Sequence, residues 1–143
     1  MPDEPLPGYL PSEAARPQEG AGEGRLRVRA LRGATTVDED TPEQVTERTQ
    51  ALLRAMMERN GLGHGDIVSV WFTATDDIHC MFPATAARGI GFGDVPLLCA
   101  RELEITGAQA RCIRVMMHIE TRRARLHHVY QQGARGLRDD LPE

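Results

Sequence analysis

From residue 26 onward the apolar and polar positions follow two rhythms in turn. Leu26-Arg27-Val28-Arg29-Ala30-Leu31 alternates apolar with charged residues as far as Ala30, the period of a strand with one face in a core. Arg32-Gly33-Ala34-Thr35-Thr36 reads as chain leaving that strand. A helix start follows: Thr41 can cap it, Pro42 suits the first helical position, and Gln44 completes a capping box. Val45, Leu52, Leu53, Met56 and Met57 then recur at helical spacing, and Gly61 supplies the stop. The two methionines read as core filler. Asp66 to Ala74 is rich in β-branched and aromatic residues and predicts a central strand, ended by Thr75-Asp76-Asp77. Phe82 to Arg88 predicts a short helix with Pro83 in its first turn. Val95–Ala100, Cys112–Ile119 and Leu126–Tyr130 predict three further strands. Strands interleaved with two helices imply a single α/β or α+β domain with a mixed sheet.

The segment before this pattern differs. Residues 1–24 contain five of the nine prolines and four of the fourteen glycines, with few large apolar side chains. They read as a disordered leader, neither a domain nor a signal peptide. The domain proper is expected over residues 25–141.

One residue breaks the hydrophobic pattern. Arg114 interrupts the run Cys112-Ile113-Arg114-Val115-Met116-Met117, which reads as a strand buried on both faces or nearly so. A guanidinium keeps its proton, and burying it unpaired costs several kcal/mol. Arg114 therefore reaches solvent, pairs with an internal acid, or receives an anionic ligand. Arg32, closing the first strand, is the second cation out of place. Glu102, just past the end of the Val95–Ala100 strand, stands where ligand groups often sit, and taken alone it reads first as a surface acid. A structural ion pair of Arg114 with Glu102 or an aspartate and a pocket for a small polyanion are both open on these residues alone.

Composition narrows the chemistry. The 143 residues suffice for one well-packed domain. The formal net charge of −4 gives no reason to expect binding to nucleic acid or to a membrane surface. No apolar run approaches the roughly 18–20 residues of a membrane span. All 17 basic residues are Arg, so Schiff-base and Walker-type lysine chemistry is excluded and anions must be held by guanidinium groups. Cys80, Cys99 and Cys112 are odd in number and form no CxxC, which points to a reduced, cytosolic protein without structural zinc. His64, His79, His118, His127 and His128 show no zinc-ligand pattern, and His127 and His128 are expected on opposite faces of a strand. Asp76 and Asp77 read as loop acids, and Cys99 as an inert strand residue. Gly89-Ile90-Gly91-Phe92-Gly93 follows a helix rather than a strand, so it reads as a helix-ending turn and not a phosphate loop.

Taken in order, several strings resemble one family. Arg32-Gly-Ala-Thr-Thr, Phe82-Pro83-Ala84-x-Ala86-x-Arg88, Val95-Pro96-x-x-Cys99-x-x-Glu102, Cys112-Ile113-Arg114-Val115-Met116-Met117 and His128-Val129-Tyr130 look like the AroH class of monofunctional chorismate mutase, from about Leu26 to Leu141. The resemblance implies a homotrimer whose sheets form a pseudo-α/β-barrel, with active sites at the subunit clefts. It implies rearrangement of chorismate to prephenate in aromatic amino-acid biosynthesis, with no cofactor and no metal. It implies Arg114 as the cation at the ether oxygen, and Arg32 and Tyr130 as holders of substrate carboxylate. Glu102, assisted by Cys99, would accept the ring hydroxyl's proton. Phe82 and Ala84 would line the wall and Arg88 would add charge at the mouth. Leu137 and Arg138 would come from a mobile tail, beginning near residue 133, that closes over the site.

There are departures from the family pattern. Thr85 stands where relatives can carry a Lys, and Arg122-Arg123-Ala124-Arg125 replaces a proline-containing stretch. Two other readings keep the same architecture. One is an imine hydrolase resembling the YjgF/RidA group, whose signature motifs are not evident. The other is a non-catalytic trimer that binds an aromatic carboxylate.

Overall fold

A computed structural model describes residues 24–138. All but Gly24 of the disordered leader expected over residues 1–24, and the part of the expected tail beyond Arg138, lie outside the described residues.

Five strands and two helices form one sheet with one covered face. They are β1 (Arg27–Thr36), α1 (Pro42–Arg59), β2 (Ile67–Ala74), α2 (Pro83–Arg88), β3 (Leu97–Arg101), β4 (Cys112–Thr121) and β5 (Val129–Tyr130). Short 3₁₀ turns occupy His64–Asp66 and Gln132–Gly136. The strand order is β3-β2-β4-β1-β5. β4 runs antiparallel to both β1 and β2, whereas β3 is parallel to β2 and β5 is parallel to β1. The sheet is mixed, as the interleaved pattern predicts.

Several boundaries differ from the sequence reading. Arg32-Gly33-Ala34-Thr35-Thr36 does not leave the strand: β1 continues to Thr36, paired throughout with β4. Its alternation is hidden because Gly33 takes an inward position. A Cβ on Gly33 would lie 2.5 Å from Met56 Sδ, so glycine lets α1 approach β1 closely. β2 is interior, as expected of a central strand, between β3 and β4, and β4 lies at the middle of the sheet. The strand expected over Leu126–Tyr130 shrinks to Val129–Tyr130, so His127 and His128 precede it and the opposite-face argument does not apply to them.

The helix signals hold, with one change. Thr41 Oγ1 accepts from the Gln44 amide at 3.3 Å. The Gln44 side chain does not return to Thr41, as a capping box requires. Its Oε1 accepts from the amides of Asp38 and Glu39 at 2.7 and 3.1 Å, tying down the loop before the helix. The helix ends at Asn60, followed by Gly61 at φ +61°.

The core lies between α1 and the inner face of the sheet. Val45, Leu52, Leu53 and Met56 meet Leu31, Val70, Phe72, Ile113, Val115, Met117 and Ile119, all buried. Each such side chain contributes on the order of 1.5–3 kcal/mol of burial free energy. At one end of the sheet, loop polar groups set the start of β4. Asp77 accepts from the Arg111 amide at 2.9 Å, where φ is +45°, and Thr75 Oγ1 accepts from the Cys112 amide at 2.9 Å. This fixes the chain three residues before Arg114.

The other end is tied by Asn60, which is fully buried. Its Nδ2 donates to the carbonyls of Met56 and His127 at 2.8 and 2.9 Å, and its Oδ1 accepts from the His127 amide at 2.6 Å. Asn60→Ala leaves those backbone groups without partners, so the expected loss is about 2–4 kcal/mol. The shift in the urea midpoint measures it, and a change below about 0.5 kcal/mol would show that the clamp adds nothing beyond what water supplies.

Candidate active site

Successive side chains on a strand point to opposite faces. On β4, Ile113, Val115, Met117 and Ile119 turn to the core, so Arg114, Met116 and His118 share the other face. That face carries no helix. The expectation that β4 is buried on both sides is therefore wrong: Arg114 keeps 46% of its side-chain surface exposed. The error has a simple source, since Met116 is apolar yet faces outward, which makes the run look continuous.

A groove of about 680 Å³ opens on this face, lined by Arg32, Trp71, Thr73, Glu102, Arg114 and Tyr130 among others. Register explains how residues distant in sequence meet there. Arg114 lies between Thr73 of β2 and Ala34 of β1 on the adjacent strands. Arg32 is opposite Met116, one same-face step away. Tyr130 pairs with Ala34. Beyond the end of β3, the Glu102 amide still donates to the Ala74 carbonyl at 3.1 Å, and this holds Glu102 over the same end of the groove.

Electrostatics are concentrated in one pair. Arg114 Nε lies 2.7 Å from Glu102 Oε1. Glu102 is only 16% exposed, and its second oxygen accepts from Thr73 Oγ1 at 3.3 Å. One carboxylate oxygen thus meets the guanidinium while the other is held by Thr73, which fixes the acid that orients Arg114. Among the described residues no carboxylate lies at ion-pair distance from Arg32. The groove therefore has cationic capacity left over for an anion. Leu137 and Arg138 close one side of it. The chain leading to them is anchored, because the Gly133 amide donates to Thr36 Oγ1 at 2.9 Å and Ala134 is buried. Gly133 and Ala134, expected to begin a mobile tail, are accordingly packed against β1.

The remaining site candidates lie elsewhere on the chain. Phe82, Thr85 and Cys99 line a second groove, of about 540 Å³, with His79, Cys80, Met81 and Arg101. Ala84 is packed in the core, and Arg88 stands exposed at the end of α2 with Nε 3.5 Å from the Ala84 carbonyl. Cys99 is opposite Phe72 on the inward side of β3, so within one chain it does not share a site with Glu102. The sequence candidates thus divide into Arg32, Glu102, Arg114, Tyr130, Leu137 and Arg138 on one side, and Phe82, Ala84, Arg88 and Cys99 on the other. Trp71, Thr73, Met116 and His118 line the first groove and are absent from the sequence-derived site. Period-two spacing from Arg114 would have found Met116 and His118.

Two thiols are set against nucleophilic chemistry. Burial, then the hydrogen bond and charge of Asp40, push Cys80 from 9.0 up to about 11. Burial likewise raises Cys112, partly offset by Arg114. Among the described residues no group of three or more His, Cys, Asp or Glu is disposed to hold a metal ion. No helix among them is long and apolar enough to cross a membrane. The chemistry this arrangement offers is electrostatic: fixed guanidinium groups, a hydrogen-bonding acid and confinement.

If the Arg114–Glu102 pair serves a ligand rather than the fold, it adds little stability. A half-exposed pair is worth about 0–1 kcal/mol. Thermal unfolding of Arg114→Ala is expected to stay within that range of the parent, and a loss above about 2 kcal/mol would make the pair structural.

The chain's resemblances agree with this geometry. The family described as chorismate mutase type I matches residues 28–141. The chorismate mutase AroH of Thermus thermophilus is 46% identical over 117 residues, which span 80% of this chain and 96% of that protein. The chorismate mutase AroH of Bacillus subtilis is 40% identical over 119 residues, spanning 81% and 94%. A solved chorismate mutase from Clostridium thermocellum superposes with a TM-score of 0.73 at 44% identity, covering 75% of this chain and 97% of that one.

Proposed function

The chain belongs to the chorismate mutase type I family, and we propose that its strand-lined groove converts chorismate to prephenate by a [3,3] rearrangement. The observation that carries this is Arg114, projected from the central strand and held by Glu102, with Arg32 on the same face.

Chorismate is a dicarboxylate with a ring hydroxyl and an enol-ether oxygen. In the transition state the C–O bond is breaking before the new C–C bond is complete, so negative charge grows on the ether oxygen. A guanidinium fixed there stabilises the transition state more than the ground state. Arg114 has that role: Glu102 takes its Nε edge, and the rest of the fork serves the ether oxygen. Arg32 and the Tyr130 hydroxyl hold carboxylate, and Glu102 accepts the ring hydroxyl. Leu137 and Arg138 close the groove. Confinement of the substrate in its reactive chair supplies much of the remaining acceleration. The reaction forms no covalent bond to the protein and uses neither cofactor nor metal.

The missing wall comes from a second copy. Trp71, Leu98, Met116 and Phe82 are large apolar side chains exposed on the chain. An open sheet face of this kind favours association. Each chain carries one cationic groove and, separately, the Phe82–Cys99 groove. Contact between unlike patches is heterologous and closes into a ring, here a trimer with one site per subunit boundary. Phe82, Ala84, Arg88 and Cys99 then serve the neighbouring chain's Arg114. Thr85 contributes no charge at that mouth. Three free thiols suit a cytosolic, reducing setting.

The full-length protein is expected to consume chorismate, seen as loss of diene absorbance, without added metal or cofactor. Arg114→Ala is expected to lower kcat by roughly 10²–10³-fold or more, the scale for removing a preorganised oxyanion donor. Arg114→Lys stays poor, because a point charge replaces a planar fork. Full turnover by Arg114→Ala sinks the assignment, and tight binding of a bicyclic transition-state analogue without turnover favours the non-catalytic reading.

Shared sites give a second expectation. Arg88→Ala and Arg114→Ala proteins, each of low activity, are unfolded together and refolded as a mixture. A ring containing both chains has one boundary where both arginines are intact, so activity returns to roughly a quarter of wild type from symmetry alone. No recovery in the mixture places each site within one chain.

A further inference from the structure

Arg32 sits where β1 loses its outer neighbour. β5 supplies partners only to Gly33 and Ala34, through Val129 and Tyr130. At Arg32 no strand carbonyl is available on that side, and an imidazole replaces it. The Arg32 amide donates to His128 Nδ1 at 2.9 Å. A backbone N–H only donates, so Nδ1 carries the lone pair and the ring proton is on Nε2.

The imidazole is itself fixed from both sides. Upstream, the amide and carbonyl of His127 are clamped by buried Asn60. Downstream, Val129 is buried in the core and Tyr130 pairs with Ala34. A continuous chain of contacts therefore runs from the end of α1 through Asn60, His127 and His128 to the main chain of Arg32. The side chain of Arg32 needs such support, because no described carboxylate holds its guanidinium.

We propose that His128 is a positioning residue for Arg32, its Nδ1 lone pair fixing the Arg32 main chain so that the guanidinium meets a substrate carboxylate. The role rests on the chorismate mutase reading for its substrate, while the hydrogen bond itself does not. His128 does not touch the reacting atoms. Its surroundings keep it an acceptor: burial, then Arg32, Arg138 and Arg29, and lastly His127, lower its pKa from the usual 6.5. The neutral ring is favoured by the fold, so the bond is complete above pH 6.5 and is lost only as pH falls through the lowered pKa.

Three variants and one spectrum test this. His128→Leu keeps bulk but removes the acceptor. It is expected to raise KM for chorismate roughly 5–10-fold with kcat within about 3-fold, the scale of one lost hydrogen bond acting on ground-state binding. His128→Ala behaves likewise. His128→Asn, whose Oδ1 occupies the place of Nδ1, is expected to keep KM within about 2-fold of wild type by the same reasoning. In wild-type protein with ¹⁵N-labelled histidine, His128 is expected as the Nε2–H tautomer, and the Arg32 amide signal moves as His128 is protonated in acid. Equal KM values for the Leu and Asn variants, or a proton on Nδ1 at neutral pH, overturn the proposal. If His128→Leu does not fold, the tautomer and the Asn variant decide. Failure of wild-type protein to consume chorismate counts against the enzymatic reading alone, because the tautomer is read without substrate.

Discussion

One long helix covers a five-stranded sheet on one side only, and the rest of the molecule follows from that. α1 buries Leu31, Val70, Phe72, Ile113, Val115, Met117 and Ile119. The pleat then delivers every alternate residue to a face with no helix on it. A sheet face left to water alone is usually polar. This one carries Trp71 and Met116 beside two arginines. The inner face forms the core, and the outer face is left open as the groove that holds Arg32 and Arg114.

The arginine at the centre of that face gives little to folding. Half exposed, it stands in a region where water weakens charge interactions, and it holds its geometry through one short contact to Glu102. The carboxylate, more buried and also bonded to Thr73, restricts the guanidinium's rotamers before any ligand arrives. Preorganisation of this kind spares the reorganisation that water would have to undergo around a developing charge. Arg32 is held differently. Its constraint acts on the backbone, through His128 and Asn60, and leaves the guanidinium without a carboxylate partner among the described residues. One cation is set by a side-chain acid and the other by the main chain.

How much of this is legible in the sequence depends on the range of the interaction. Thr41, Pro42 and Gly61 mark α1 because caps and stops act over three or four residues, although the Gln44 side chain turns to Asp38 and Glu39 instead of closing a box. The motif strings give the family and most of the residues facing the groove. Burial of β4 was not legible, since Met116 is apolar yet faces outward, which makes the run look buried on both sides. Nor was the continuation of β1 past Arg32: Gly33 looks like a turn residue, and its real cause is the sulfur of Met56 pressing on that strand. The 3₁₀ turn at Gln132–Gly136 is likewise tied by a contact to Thr36, almost a hundred positions earlier in the chain.

By itself the sequence determined which residue types are available: guanidinium groups as the only fixed side-chain cations, one well-placed acid, and one long amphipathic helix beside a short one. Local rules sufficed for these, because caps, periodicity and side-chain chemistry act between near neighbours. Only the tertiary structure decided which candidates meet. Strand register brings Arg32, Thr73, Glu102, Arg114 and Tyr130 together, and the same alternation turns Cys99 to the opposite side, with Phe82 and Arg88 beyond reach of the first groove. A shift of one residue in any of these strands would exchange its two faces, and no local signal reports which pairing the assembled sheet selects.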